Sequence, residues 1–309
     1  MKRVSLQIAG GFAFCFVVAT SASAQVARVF LTGTGNDAGD CTNQATPCRS
    51  LQGAVTACPV NGEIIILDNG GYGGATITKS LTVNASAGVV AFIARTITVN
   101  IASTDKVVLR GLSLNGKVFG DIKGIAFTGG GTLVVENSVI AGFGDQGIAQ
   151  SAAGSNLIVS NSEIRNQDVG IQNASSSDTN SNTVIENSRF EYLNSYGVGG
   201  NGGTANISIR NSALANNNMS VFAYTSSQTR PVLIVVDTCT IAHNNRGTDA
   251  ETGGAGASAT IRVTNSTIYH NGDGMFISGA GAAIESYGNN RVTANTNGST
   301  FSGTVLPLQ

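Results

Sequence analysis

Charge is scarce in this 309-residue chain: Asp, Glu, Lys and Arg make up 11% of it, against about 25% in an average soluble domain. Leu, Lys and Glu are too few for a helical protein, yet the chain is too apolar to stay disordered. Several signatures of chemistry are also missing. There is no HExxH, no Cys-rich zinc spacing, no glycine-rich phosphate loop and no G-x-S-x-G. What is abundant is glycine, with 40 residues, and asparagine, with 30, so the chain should be β-rich with many tight turns.

Lys2 and Arg3 precede an apolar run that ends near Thr20 and is followed by "SASAQ". That pattern predicts a signal peptide over residues 1–24, cleaved after Ala24, and a protein that is secreted or periplasmic. The run is too short for a stable membrane anchor, Cys15 does not sit in a lipoprotein processing box, and no later segment approaches membrane length. Beyond Lys2 and Arg3, 15 basic residues face 18 acidic ones, a net charge of about −3. Nothing in that balance predicts nucleic acid or membrane insertion.

Internal repeats organise the rest. "VVENSVI", "IVSNSEI", "VIENSRF", "SIRNSAL", "VVDTCTI" and "IRVTNSTI" follow one another, with looser copies on either side. Marking the residue before the serine gives Gly111, Asn137, Asn161, Asn187, Asn211, Thr238, Asn265 and Asn289, spaced 24 to 27 apart. Apolar columns run in register with the marks, from Leu109 to Val263 two residues before and from Leu114 to Val292 three after. About ten residues after most marks comes a glycine followed by an apolar residue, as in Gly147-Ile148 and Gly170-Ile171. A unit of about 25 residues cannot bury its own apolar face, so equivalent strands must stack in parallel at about 4.8 Å per coil. The expected fold is all-β, a single right-handed parallel β-helix over 61–309, closed by an N-terminal cap over 25–60. In the cap, "CRSLQGAVTAC" places Leu51, Ala54, Val55 and Cys58 on one helical face.

The repeated "N-S-x-[IF]-x-x-N-x-x-G-[IV]" coil, the opening "RVFLTGTGNDAGDC" and the stretch "GGYGGATITKSLTV" resemble the right-handed β-helix proteins of the pectate-lyase-like superfamily, in particular secreted bacterial members. The resemblance covers nearly all of the chain after the leader. It is specific for fold and weak for function, because that superfamily includes lyases, hydrolases, esterases, adhesins and proteins without activity.

Reading by column decides what each polar residue is. Asn217, Asn244, Asn271 and Asn295 align, and their amides should bond along a ladder; the marks Asn137, Asn161, Asn187 and Asn211 should do so at another corner, satisfying buried turn groups. His243 and His270 stand one position before the first of these columns and read foremost as stacked imidazoles. In an exported protein Cys41 and Cys48 should be joined. Cys239 falls in the serine column and reads as a buried thiol, which leaves Cys58 unpaired or competing with Cys41 for Cys48. The tail "TFSGTVLPLQ" leaves no room for a membrane barrel, against an autotransporter.

The resemblance implies ligands along an outer sheet face and the turn before it. There Asp145 and Asp168 stack, with Asp121 one residue out of line. Such a row could hold Ca²⁺ through oxygen ligands, with Lys123 or Arg165 as the base of a uronate lyase, or could supply the acid pair of a glycoside hydrolase. Equally, these are ordinary turn aspartates. A second cluster gathers His243, Arg246, Asp249, His270 and Asp273 on two consecutive coils. Tyr192, Tyr196, Phe222 and Tyr224 near one face suit sugar contacts. Because the acids are few and scattered, the sequence favours a non-catalytic exported protein that binds a polysaccharide or cell-surface glycan or acts as a rigid spacer, with a polysaccharide lyase or hydrolase as the alternative. No cofactor is firmly implied.

Overall fold

The computed structural model describes residues 27–175 and 177–307; the expected leader and Cys15 lie outside the described residues. From Arg28–Leu31 onward the chain climbs in coils, each contributing a strand to ladders in which every pairing is parallel. One sheet has 11 strands and the other 17. The larger sheet folds at a corner into two ladders, and the strands Glu163–Asn173 and Arg189–Asn201 run through that corner without interruption. Three ladders therefore enclose one core: the first carries Val135, Val159, Ile185 and Ile209 inward, the second Ile140, Ile164, Phe190 and Leu214, the third Ile148, Ile171, Val198 and Val221. These are the sequence columns, all at 0% exposure. Burying such a column in every coil stabilises the stack by about 1.5–3 kcal/mol per side chain. The glycine before the third ladder's apolar residue is needed for close approach: a Cβ on Gly170 would lie 2.3 Å from the Gly197 carbonyl oxygen of the next coil.

Two corners turn through the left-handed backbone region, and both are periodic. The marks Asn137, Asn161, Asn187 and Asn211 have φ of 48–52° and Gly111 has 73°; in the second corner stand Asn166, Tyr192, Asn216, His243 and His270 at 53–58°. Asparagine and glycine tolerate this conformation better than other residues, which is why they recur there. The expected ladder at the marks holds in part: the Asn211 amide donates to Asn187 Oδ1, but these asparagines are exposed, and Asn187 also meets the next coil through its own N–H, which donates to the Arg210 carbonyl. Their repetition records backbone handedness, not buried amide pairing.

The buried polar columns stand beside the corners. Ser138, Ser162 and Ser188 each donate a backbone N–H to the serine Oγ of the following coil at 3.1–3.2 Å. Cys239 continues that column: its N–H donates to Ser266 Oγ and its thiol to the Asp237 carbonyl, and burial pushes its pKa up to about 11. Asn217, Asn244 and Asn271 form the expected amide ladder. Each N–H donates to the next asparagine Oδ1 at 2.9–3.0 Å, while the Nδ2 groups reach the Phe190, Leu214 and Ile241 carbonyls.

The cap contains the disulfide Cys41–Cys48 and the helix Leu51–Ala57. Ser50 caps the helix by accepting from the Gly53 N–H, and Asp37 holds that end through the Arg49 and Ser50 N–H groups. Leu51, Ala54, Val55 and Cys58 are buried, and the Cys58 thiol is free. Arg28–Leu31, before the disulfide, is already the first strand of the 11-stranded sheet. Among the described residues no helix is long and apolar enough to cross a membrane.

Candidate functional site on the third ladder

Alternation along the strands sends every second side chain of the third ladder outward. The glycine and the apolar residue after it both face inward and interrupt the alternation, so the register makes an outward row on each side of them. One reads Lys123, Gln146, Val169, Tyr196, Met219, Arg246 and Asp273. The other reads Gln172, Gly199, Phe222, Asp249 and Phe276. Gly199 leaves room for the neighbouring ring, since a Cβ there would lie 2.7 Å from Tyr196 Cε2. Tyr196, Phe222 and Tyr224 consequently form a run, with centroids 5.2 Å apart for the first pair and 6.1 Å for the second, whose planes differ by 9°.

That run ends at a polar knot. Arg246 donates to Asp249 Oδ2 at 2.7 Å and to Glu251 Oε1 at 3.1 Å, and its guanidinium carbon lies 3.6 Å from the centre of the Phe276 ring. Asp249 belongs to an outward row, yet its side chain is 0% exposed, with Phe222 and Phe276 as its register neighbours on either side. Its Oδ1 has no hydrogen-bond partner. Burial pushes its pKa up to about 7; the Arg246 hydrogen bond opposes this and the Glu251 charge adds to it. An enclosed carboxyl beside a carboxylate, both held by one arginine, is a rigid planar polar group set among aromatic rings.

The aspartates of the turn are arranged differently. Asp121 faces the preceding coil: Oδ1 accepts from Arg95 at 2.8 Å and Oδ2 from the Thr96 N–H at 2.8 Å, and these hold its carboxyl below the usual range. It stacks against Gly144 through its carbonyl, so the three aspartates do not form one row. Asp145 and Asp168 do neighbour each other. Burial first, then the Asp168 charge, raise the Asp145 pKa, and Lys123 opposes the rise. Asp168 accepts from Asn194 Nδ2. Arg165 is paired with Glu163. Among the described residues no three His, Cys, Asp or Glu side chains gather as a closed metal site would require.

His243 and His270 stack at the corner with centroids 5.5 Å apart and planes 7° from parallel, in contact with Tyr269, as the column reading expects. Tyr192 is exposed at the same corner, away from the aromatic run, whereas Tyr196 is 4% exposed and its hydroxyl is pushed up to about 12 by burial. Tyr196 therefore supports Phe222 from beneath instead of offering a free face. Asp273 stands beside Arg246 in register. Two members of the knot escaped the sequence reading, Glu251 and Phe276. Their signals were present: Glu251 is two residues beyond Asp249 on the same strand face, and Phe222, Asp249 and Phe276 repeat at the 27-residue spacing of their coils.

Residues 63–232 match the family described as the right handed beta helix region, and the chain belongs to that family. No curated protein matches it in sequence. Among solved structures it is similar to XylC in complex with xylose, at 8% identity and a TM-score of 0.54 over 81% of this chain and 68% of that one. It is also similar to the pectate lyase Pel9A, at 14% identity and a TM-score of 0.51 over 91% and 73%. At these identities the likeness is one of fold.

Proposed function

We propose that this is an exported, non-catalytic β-helix protein that binds a glycan across the coils on the outward face of the third ladder. The observation that carries the reading is the Tyr196–Phe222–Tyr224 run leading into Arg246, Asp249, Glu251 and Phe276. Aromatic faces take the C–H faces of sugar rings, and fixed planar polar groups take their hydroxyls. The coil rise of about 4.8 Å is close to the length of one pyranose unit, so successive coils can present successive subsites. Export is supported by the leader pattern and the Cys41–Cys48 disulfide. A xylose complex and a pectate lyase among the structural neighbours make carbohydrate the ligand class to test first.

The test is titration calorimetry of the wild type and a Phe222→Ala, Tyr224→Ala variant against neutral and acidic oligosaccharides. Both rings are half-buried on an outward face, so the variant should fold, while affinity should fall at least about tenfold, or roughly 1.4 kcal/mol. Unchanged affinity would place the ligand elsewhere. The alternative, a lyase at Lys123, Asp145 and Asp168, is favoured by the raised pKa of Asp145 beside Asp168 and Lys123. It predicts unsaturated products from polygalacturonate that disappear in Lys123→Met.

A further inference from the structure

Independently of the glycan reading, we infer that His243 and His270 form an exchangeable surface site for a borderline divalent transition metal, Cu²⁺ above all. They are the two histidines of the chain, and they occupy the same corner position of consecutive coils, with φ of 58° and 53°. Parallel pairing repeats a position at about 4.8 Å, so side chains in one column leave the backbone side by side. The two imidazoles accordingly stack, with centroids 5.5 Å apart and planes 7° from parallel. Both residues are exposed, and among the described residues no hydrogen bond engages either ring. Their ring contacts are aromatic: Tyr269 meets His270 at 5.1 Å and His243 at 5.9 Å, edge-on to each, and so backs the pair.

Backbone and ligand chemistry both favour chelation. The residue after each histidine belongs to the buried amide ladder: the Asn244 N–H donates to Asn271 Oδ1 and the Asn271 N–H to Asn295 Oδ1, each at 3.0 Å. The corner backbone is therefore pinned in both coils, while the exposed rings can turn about their side-chain bonds. Metal–nitrogen bonds are about 2.0–2.1 Å, so two nitrogens sharing one ion stand about 3 Å apart. Parallel rings 5.5 Å apart reach this when each leans inward by roughly 1 Å at its nitrogen. Neutral imidazole suits Cu²⁺, Ni²⁺ and Zn²⁺, with Cu²⁺ bound most tightly, whereas Ca²⁺ and Mg²⁺ seek oxygen. Since no group of three His, Cys, Asp or Glu gathers among the described residues, water completes the shell and the ion exchanges.

The experiment titrates Cu²⁺ by calorimetry into the wild type, His243→Asn, His270→Asn and the double variant, and reads the bound ion by electron paramagnetic resonance. Asn166 and Asn216 hold the same column with the same left-handed backbone, so the asparagine variants should keep the corner, which circular dichroism checks. After subtraction of what the double variant binds, the wild type should bind one Cu²⁺ with imidazole nitrogen in its spectrum. Either single variant should weaken that binding at least about tenfold, because it ends the chelate. An excess of Ca²⁺ should leave the titration unchanged. A wild type that binds no more Cu²⁺ than the double variant overturns the inference. So does binding that only one of the single variants weakens, or that neither does, and so does displacement by Ca²⁺, which would point to oxygen ligands.

Discussion

The third ladder carries two acidic clusters on one face, and they differ in everything except composition. Asp145 lies in a turn and Asp168 on the strand Glu163–Asn173, both half-buried, with Lys123 and Asn194 as loose partners. Asp249 and Glu251 lie in a strand, and there Asp249 is sealed completely, held with Glu251 by one arginine and flanked by two phenyl rings. Enclosure, and not the number of acids, separates a solvated turn from a preorganised polar group. A charge that cannot reach water must be paired, and its partner is then fixed in place.

The largest effect that sharpens this contrast should come from Arg246→Met. It strands Asp249 and should cost about 3–5 kcal/mol at pH 8, read by chemical denaturation, whereas Lys123→Met in the half-buried Asp145 cluster should cost less than about 1 kcal/mol. Equal losses would break the comparison.

Acidity tests the same enclosure. Asp249 has a folded pKa above its unfolded value, so its contribution favours folding fully below about pH 3.8 and is lost as pH rises to about 7. In that window wild-type stability should fall by at most about 1.4 kcal/mol per pH unit from this group. Asp249→Asn should remove the slope, apart from the part of the same sign that Asp145 contributes. A wild-type profile identical to that of Asp249→Asn across the window would show that Asp249 is not enclosed.

Enclosure also divides the two asparagine columns. Asn244→Ala leaves the Asn217 N–H unpaired in the interior, at about 1–3 kcal/mol, and takes one of its donors from the Leu214 carbonyl. Asn187→Leu at the exposed corner should cost only about 1 kcal/mol, from the left-handed backbone and the loss of an exposed amide contact with Asn211. Thermal unfolding of the two variants decides between them. The smallest effect belongs to Asp145→Asn with Asp168→Asn, which should stay within about 0.5 kcal/mol of wild type, on the stabilising side because a raised carboxyl is relieved.

Most of the fold was legible because its physics is periodic. Val135 to Ile209 and Ile140 to Leu214 had to stack, Cys239 had to replace a serine, and His270 had to occupy a corner, since each inherits the environment of its column. Exposure within a column was less legible. Asn187 and Asn244 recur equally well in sequence, but one holds a left-handed corner with an exposed amide contact and the other a buried hydrogen bond. The site was least legible because it depends on what covers a residue. Nothing in the strand pattern around Asp249 marks an outward position as sealed; that follows from Phe222 and Phe276 on neighbouring coils and from Arg246 reaching three residues along its own strand. Tyr196 was misread for the same reason, since Gly199 lets its ring lie flat and buried.

The most direct measurement is a crystal structure of the protein soaked with the oligosaccharide that binds best. The expected result is sugar rings seated on Phe222 and Tyr224, with a hydroxyl donating to Glu251 and Arg246 still held by Asp249. Sugar seated over the exposed asparagine corner, in the groove of about 410 Å³ lined by Glu186, Asn187, Arg210, Asn211 and Thr238, would contradict it.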